Sequence, residues 1–96
     1  MNSTILNTQT ETQEEVGLLE ELVDERNLIV FNDDINTFDH VIDTLVKVCK
    51  HTPIQAEQCT FIIHYNGKCT VKAGEFDDLE PMCTAILDRG ISAEIQ

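Results

Sequence analysis

The order of apolar patterns between Leu28 and Ile95 most constrains the fold of this chain. The run "LIVF" at 28–31 is short and rich in branched side chains, which is typical of a buried strand. The segments "KCTVKAG" and "ISAEI" alternate apolar and polar residues, which predicts two half-exposed strands. The three remaining stretches repeat apolar residues every three or four positions, which predicts helices. The resulting order, β-α-α-β-α-β, predicts an α+β domain in which a small three-stranded antiparallel sheet packs against three helices.

Local signals predict the ends of the first two helices. Thr37 is a good N-cap for the first helix. Thr52 and Gln55 form a capping box around Pro53, and proline suits the first helical position. The Asn-Gly pair at 66–67 is typical of a left-handed C-terminal cap. We therefore predict helices that begin after Thr37 and Thr52, and that end near "HTP" and just before this Asn-Gly pair.

The third helix is predicted to begin at Asp77 or Asp78 and to end at Gly90. Pro81 is expected in its first turn, because proline inside a helix interrupts the hydrogen-bond ladder. The strand before this helix is predicted to turn three alternating side chains inward: Cys69, Val71 and Ala73.

The composition allows one small domain with an acidic extension. The chain has 96 residues, of which 42% are hydrophobic, and this is enough for a single core. Residues 1–26 hold seven acids and one arginine. They have too little apolar surface to offset the entropy of ordering, so we predict a flexible, disordered acidic N-terminal arm. The domain is predicted to occupy residues 27–96.

The net charge limits the partners of the chain. A formal charge of -12 repels phosphate backbones and anionic lipid surfaces, so we expect neither nucleic acid nor a membrane as a partner. No apolar run reaches the roughly 20 residues of a membrane span. The start "MNSTILNTQTETQEE" has neither the basic region nor the apolar core of a signal peptide. We therefore expect a cytoplasmic protein, and a monomer.

The sequence contains no local pattern for a metal or a cofactor. No glycine-rich phosphate loop is present, and the three histidines are scattered. The four cysteines are isolated and are interpreted as small buried hydrophobes: Cys49, Cys59, Cys69 and Cys83. We expect no catalytic residue, no bound metal and no cofactor.

Polar chemistry is concentrated in two segments, "NDD" at 32–34 after the first strand and "IIHYNGK" at 62–68 at the end of the second helix. Asn and Asp before a helix often form a turn by bonding their own backbone. Adjacent carboxylates, however, raise each other's pKa and are stabilised by a nearby positive charge. That charge could belong to a metal ion or to the ammonium group of a ligand.

Each alternative predicts a different function. A metal held by Asp33, Asp34 and His64 would indicate a small metal-dependent hydrolase, although "DDINTFD" lacks the central glycine and the closing glutamate of a calcium loop. An ammonium group needs three acceptors, which a carboxylate, an amide carbonyl and a neutral imidazole supply. If "NDD" is only a structural turn, the chain is a generic acidic protein-interaction domain.

Residues 28–96 resemble the ClpS adaptors of the Clp protease, which recognise bacterial N-degrons, the N-terminal residues that mark a protein for degradation. The resemblance rests on "NDD" after an apolar strand, on "FDHVIDTL" in the next helix, and on "IIHYNGK" with the family's His-Tyr-x-Gly-Lys pattern. The acidic arm also has a counterpart in the family. The resemblance implies a non-catalytic adaptor that delivers substrates to a Clp AAA+ unfoldase, of the ClpA or ClpC type, with its peptidase.

The resemblance also implies roles for individual residues. Asn32, Asp34 and His64 would hydrogen-bond the free α-amino group of the substrate, with Asp33 beside them. The first side chain of the substrate, which is Leu, Phe, Tyr or Trp, would enter a pocket. Eight residues match that pocket: Val30, Phe31, Asn36, Phe38, Val41, Thr60, Ile63 and Ile91.

Four positions depart from the usual family pattern. Asn36 stands where threonine is common, Thr37 where proline is common, and Phe38 where methionine is common. Met82 stands where lysine is usual, close to the retained Glu80. The resemblance places Glu80 and Met82 on the surface that docks on the unfoldase. We expect the departures at Asn36 and Phe38 to affect the preference among the four first side chains.

Overall fold

The computed structural model describes residues 24–96, in which three strands and three helices follow the predicted order. Residues 1–23, most of the predicted arm, lie outside the described residues. No helix within residues 24–96 is long and apolar enough to cross a membrane. The strands are β1 (Glu25–Phe31), β2 (Lys68–Glu75) and β3 (Ala93–Ile95), and the helices are α1 (Phe38–Cys49), α2 (Pro53–Asn66) and α3 (Phe76–Asp88).

Strand β1 is the centre of the sheet, because β2 and β3 both pair with it in antiparallel orientation. Val30 lies opposite Cys69 of β2 and opposite Ala93 of β3. A central strand is hydrogen-bonded along both edges, so its end is a rigid starting point for the loop that follows. The predicted three-stranded antiparallel sheet is confirmed. The strand begins at Glu25, slightly before the predicted domain boundary.

The core lies between one face of the sheet and the helices. Leu28 and Val30 share a face of β1, since they are two residues apart, and they are 0% and 1% exposed. Burying each such side chain contributes about 1.5–3 kcal/mol. All three helices add buried side chains to the same cluster, so they cover this face: Val41, Leu45, Cys49, Ala56, Ile63, Leu79, Cys83 and Ile86.

Strand β2 contains a bulge that the alternating sequence does not reveal. The pairing register shifts between Leu28 and Ile29, which leaves Val71 as the extra residue of β2. Alternation reverses beyond a bulge, so Ala73 is exposed and the prediction that it faces inward is wrong. The buried imidazole of His51 donates from Nε2 to the carbonyl of Val71 (2.6 Å), which satisfies a backbone group at the bulge.

The caps of the first two helices are confirmed. The hydroxyls of Thr37 and Thr52 accept hydrogen bonds from the backbone amides of His40 and Gln55. Gly67, the C-cap of α2, has a φ of 90°, a conformation that glycine adopts without strain. These caps fix where α1 begins and where α2 ends, next to the two polar segments.

Helix α3 begins earlier than predicted. It starts at Phe76, so Pro81 is its sixth residue, and the prediction that Pro81 lies in the first turn is wrong. A proline there cannot donate to the carbonyl of Asp77. Leu79 is 1% exposed and belongs to the core, so apolar burial around the first two turns outweighs the missing hydrogen bond.

Candidate ligand-binding pocket

A pocket opens where β1 ends, α1 begins and α2 ends. Its volume is about 170 Å³, which is small beside the roughly 300–1,000 Å³ of pockets for drug-sized ligands. Twelve of its thirteen lining residues are those that the family resemblance implies for amine binding or for the apolar pocket, and the thirteenth is Thr37, the cap of α1. The lining residues are Val30, Phe31, Asn32, Asp33, Asp34, Asn36, Thr37, Phe38, Val41, Thr60, Ile63, His64 and Ile91. The structure brings the predicted residues together, and their roles stay a prediction.

A backbone hydrogen bond joins the two polar segments. The amide of Asn32, just beyond β1, donates to the carbonyl of Gly67, the C-cap of α2 (2.9 Å). His64 lies in the last turn of α2, so this bond holds its helix end beside the "NDD" loop. The C-terminal end of a helix dipole carries partial negative charge, which also favours a cation at this place.

Asp33 uses both carboxylate oxygens inside the loop. Its Oδ1 accepts from the amides of Ile35 and Asn36 (3.1 and 3.2 Å), and its Oδ2 accepts from the side-chain amide of Asn36 (2.7 Å). Partial burial would raise the pKa of this carboxyl, but the hydrogen bonds outweigh burial and hold the pKa below its usual value of 3.8. The expectation that adjacent carboxylates raise each other's pKa therefore fails for Asp33, whose carboxylate is committed to shaping the loop.

Asn32 and Asp34 present acceptors at the rim of the pocket. Asp34 has a φ of 59°, in the left-handed region that Asp tolerates better than most residues. Its Oδ1 accepts from the side-chain amide of Asn32 (3.0 Å), and both side chains are exposed. This bond uses the nitrogen end of Asn32, so the carbonyl oxygen is the end that can accept from a ligand.

Asn36 also bridges to a distant turn. Its Nδ2 donates to the carbonyl of Gly90, between α3 and β3 (2.9 Å). In the same turn, the carbonyl of Arg89 accepts from Nε2 of His40 (2.9 Å). Sequence reasoning missed both contacts because they join positions 54 and 49 residues apart. The only local signal is that Asn36 and His40 are polar and lie four positions apart, on either side of the N-cap Thr37.

Four aromatic rings form a cluster at the rim. Phe38 meets His64 and Phe61 edge-on, with centroids 5.0 and 5.3 Å apart. Tyr65 stacks on Phe61 at 6.2 Å and meets His64 edge-on at 4.8 Å. Such contacts restrict how the imidazole can turn. Phe61 and Tyr65 were not among the predicted site residues, although the spacing in "FIIHY" places them one turn apart on α2.

The interior of the pocket is apolar. The hydroxyl of Thr60 donates to the carbonyl of Ala56 (2.7 Å), so its polar group is satisfied within α2. A wall of this kind can bury an apolar ligand group, which contributes about 25 cal/mol for each Å² removed from water. Five lining residues are at most 9% exposed: Val30, Val41, Thr60, Ile63 and Ile91.

The three side chains of the metal alternative, Asp33, Asp34 and His64, do not form a group that could hold an ion. Within residues 24–96, no three His, Cys, Asp or Glu side chains are grouped so as to hold a metal ion. Asp33, one of the three proposed ligands, has both oxygens occupied by N–H donors. Burial raises the pKa of the Cys49 and Cys69 thiols to about 11, so these thiols stay protonated near neutral pH.

The residues predicted for unfoldase docking lie on α3, and neither lines the pocket. Glu80 is exposed, whereas Met82 packs against the core cluster. Residues two apart on a helix point to different sides, so these two side chains do not share one surface. Their docking role stays a prediction. Glu80 borders a shallow concavity on α3 with Asp77, Pro81, Thr84, Ala85 and Asp88.

Comparison with known proteins establishes the family. The family model for the "ATP-dependent Clp protease adaptor protein ClpS" matches residues 23–94. The ATP-dependent Clp protease adapter protein ClpS of Thermosynechococcus vestitus is 35% identical over 66 residues, which cover 68% of this chain and 70% of that protein. The structure of Agrobacterium tumefaciens ClpS2 bound to L-phenylalaninamide has the same fold, with a TM-score of 0.68 and 19% identity, over 75% of this chain and 96% of that chain. The chain therefore belongs to the ClpS family of adaptor proteins of the ATP-dependent Clp protease.

Proposed function

We propose that this ClpS-family chain is a monomeric, non-catalytic adaptor that binds an N-degron through its free α-amino group and its large apolar first side chain. The accepted first residues are Leu, Phe, Tyr and Trp. The adaptor then delivers the bound protein to a Clp AAA+ unfoldase, of the ClpA or ClpC type, and its peptidase. The proposal rests on one observation, the pocket with polar acceptors at its rim and apolar side chains in its interior.

The rim suits an ammonium group. Such a group carries three N–H donors and a positive charge. Asn32 supplies a carbonyl oxygen, Asp34 an exposed carboxylate, and His64 an imidazole nitrogen when its ring is neutral. A charge-assisted hydrogen bond contributes about 1.5–3 kcal/mol. The C-terminal end of α2 adds partial negative charge beside these acceptors.

The interior suits one apolar side chain. Its size is that of a site for a single residue, and its walls are formed by buried side chains of β1, α1 and α2 together with Ile91. The ClpS2 relative was solved with L-phenylalaninamide, a molecule that has a free α-amino group and a benzyl side chain. These are the two chemical features that the rim and the interior of this pocket would bind.

Fluorescence anisotropy tests the recognition of the amine. A labelled peptide that begins with Leu should bind, and its N-acetylated form should not, because acetylation removes the positive charge and two donors. Asp34→Asn should weaken binding about 10- to 100-fold, the equivalent of one charge-assisted bond. Asp39→Asn is the matched control, since Asp39 is an exposed acid of α1 that does not line the pocket. Equal binding of the acetylated peptide would reject the proposal, and an unaffected Asp34→Asn variant would favour the generic interaction domain.

A degradation assay tests delivery. Because β1 begins at Glu25, a deletion of residues 1–23 removes most of the predicted arm without cutting the sheet. This variant should bind the Leu peptide as the full chain does, but should support slower degradation of a Leu-starting substrate by a ClpA- or ClpC-type unfoldase with its peptidase. Unchanged degradation would contradict a role of the arm in delivery.

A further inference from the structure

Two consecutive carbonyls in the turn between α3 and β3 are held by side chains that flank the start of α1. Asn36 donates to the carbonyl of Gly90, and His40 donates to the carbonyl of Arg89, each at 2.9 Å. The next residue, Ile91, is 3% exposed and lines the pocket. These two hydrogen bonds therefore hold the backbone immediately before Ile91, an apolar residue of the pocket wall.

The same side-chain amide of Asn36 also binds the loop between β1 and α1. Its Nδ2 donates to Oδ2 of Asp33 (2.7 Å), next to its bond to Gly90. Asp33 in turn accepts from the backbone amides of Ile35 and Asn36. One planar amide thus connects the loop that carries Asp34 to the turn that carries Ile91. A movement of either segment strains a hydrogen bond to the other.

The turn itself depends on contacts of this kind. Gly90 has a φ of 81°, and a Cβ at this position would meet no atom within 4 Å, so the residue itself lies against open space. The guanidinium of Arg89 reaches α1, where it binds Asp43 and Thr44 at 3.2 Å each. These hydrogen bonds, together with the burial of Ile91 in the core, fix the turn against α1.

We propose that Asn36 is a positioning residue, which couples the amine-binding loop to the apolar wall at Ile91 and thereby sets the discrimination among first side chains. His40 supports the same turn from the first helical turn of α1. The inference rests on the proposed function and concerns how the pocket selects among its ligands. Apolar pockets discriminate through fit, and one methylene changes binding about 10- to 200-fold. A wall that can shift relative to the loop loses this discrimination.

Peptide binding tests the proposal with two variants of Asn36. Asn36→Ala removes both bonds, and Asn36→Asp keeps the shape but places acceptors against the oxygens of Asp33 and Gly90. The dissociation constants of four peptides that differ only in a first Leu, Phe, Tyr or Trp are measured for each variant. Because discrimination is lost, both substitutions should lower the ratio of the weakest to the tightest dissociation constant by about tenfold. His40→Ala should shift the ratio in the same direction.

Thr52→Ala is the matched control, because it removes a polar bond to the amide of Gln55 (3.2 Å) at the end of α2 remote from His64. It should multiply all four dissociation constants by a common factor. A common factor in the Asn36 variants as well would overturn the proposal, since the residue would then act on stability alone.

Hydrogen exchange separates failure of this inference from failure of the proposed function. The amide of Ile91 donates to the carbonyl of Ile86 (3.3 Å), so its exchange rate reports on the turn without any peptide. Asn36→Ala should accelerate this exchange about fivefold, as expected for loss of the one hydrogen bond that Asn36 makes to the turn, and Thr52→Ala should not. If the unaltered protein binds no peptide, the proposed function fails. If Ile91 exchanges at the same rate in the Asn36→Ala variant, the coupling through Asn36 fails.

Discussion

The ring of Phe38 stands edge-on to the imidazole of His64, with the centroids 5.0 Å apart and the planes at 68°. Phe38 is the first residue of α1 and His64 lies in the last turn of α2, so the contact connects the two helix ends that border the pocket. A ring that is already held in place loses less freedom when a ligand binds. Phe38 therefore has two roles, as part of the pocket wall and as a support for the imidazole.

Replacing Phe38 should weaken peptide binding. Phe38→Ala removes the edge contact, worth about 0.5–1.5 kcal/mol, together with part of the pocket wall, so we expect a Leu-starting peptide to bind about tenfold more weakly. Phe38→Met restores apolar area without the aromatic edge, so its affinity for the peptide should lie between those of the unaltered protein and of Phe38→Ala. Anisotropy titrations measure both effects.

Phe61→Ala is the control for this experiment. It removes the other edge contact of Phe38 (5.3 Å), but Phe61 does not line the pocket. Binding should therefore fall less than in Phe38→Ala. An equal loss in both variants would show that the aromatic cluster acts as a unit, and that the contact with His64 has no separate effect.

Asp33 should contribute to stability in a pH-dependent way. Partial burial opposes ionisation, but the bonds from Ile35 and Asn36 hold the folded-state pKa below 3.8. A carboxyl whose pKa is lowered by folding stabilises the protein above its unfolded pKa, and this contribution is lost as pH falls through the folded pKa. Asp33→Asn should therefore lower the urea midpoint at pH 7, and the difference from the unaltered protein should shrink below about pH 4.

Glu57→Gln provides the comparison, because Glu57 is an exposed carboxylate of α2. The urea midpoint of the Glu57→Gln variant should equal that of the unaltered protein at pH 7 and also below about pH 4. If the urea midpoint of Asp33→Asn also equals that of the unaltered protein at pH 7, the hydrogen bonds to Asp33 do not stabilise the loop.

The sequence predicts the elements of this fold well because each has a local signal. Thr37 and Thr52 act through amides three positions away, and the Gly67 cap is equally local. The "NDD" and "IIHYNGK" segments could be linked from sequence only through the family resemblance, since the bond from Asn32 to Gly67 depends on the fold. The bonds of Asp33 within its own loop have a local signal, since Asp before a helix often bonds its own backbone. The bond from Asn36 to Gly90 has none, because it depends on the tertiary fold, which the pattern of one segment does not encode.

The bulge in β2 leads to a prediction about His51. Its Nε2 donates to the carbonyl of Val71, while its Nδ1 is buried without a hydrogen-bond partner among residues 24–96. His51→Ala should lower the free energy of unfolding by about 1–3 kcal/mol, because it leaves a buried carbonyl unsatisfied. Urea denaturation measures this loss. Gln58→Ala, on the exposed surface of α2, should stay within about 0.5 kcal/mol of the unaltered protein, and a similar small change in His51→Ala would contradict the role of the imidazole.

Pro81 should be a site where stability can be gained. As the sixth residue of α3 it lacks the N–H that would bond the carbonyl of Asp77, and proline inside a helix is about 3 kcal/mol less favourable than alanine. Proline also restricts the unfolded chain, which returns about 0.4–1 kcal/mol. Pro81→Ala should therefore raise the free energy of unfolding by about 2 kcal/mol, measured by urea denaturation. Thr84→Ala, on the exposed face one turn later, controls for helix propensity alone. If Pro81→Ala stabilises no more than Thr84→Ala, the missing hydrogen bond in α3 carries no penalty in this fold.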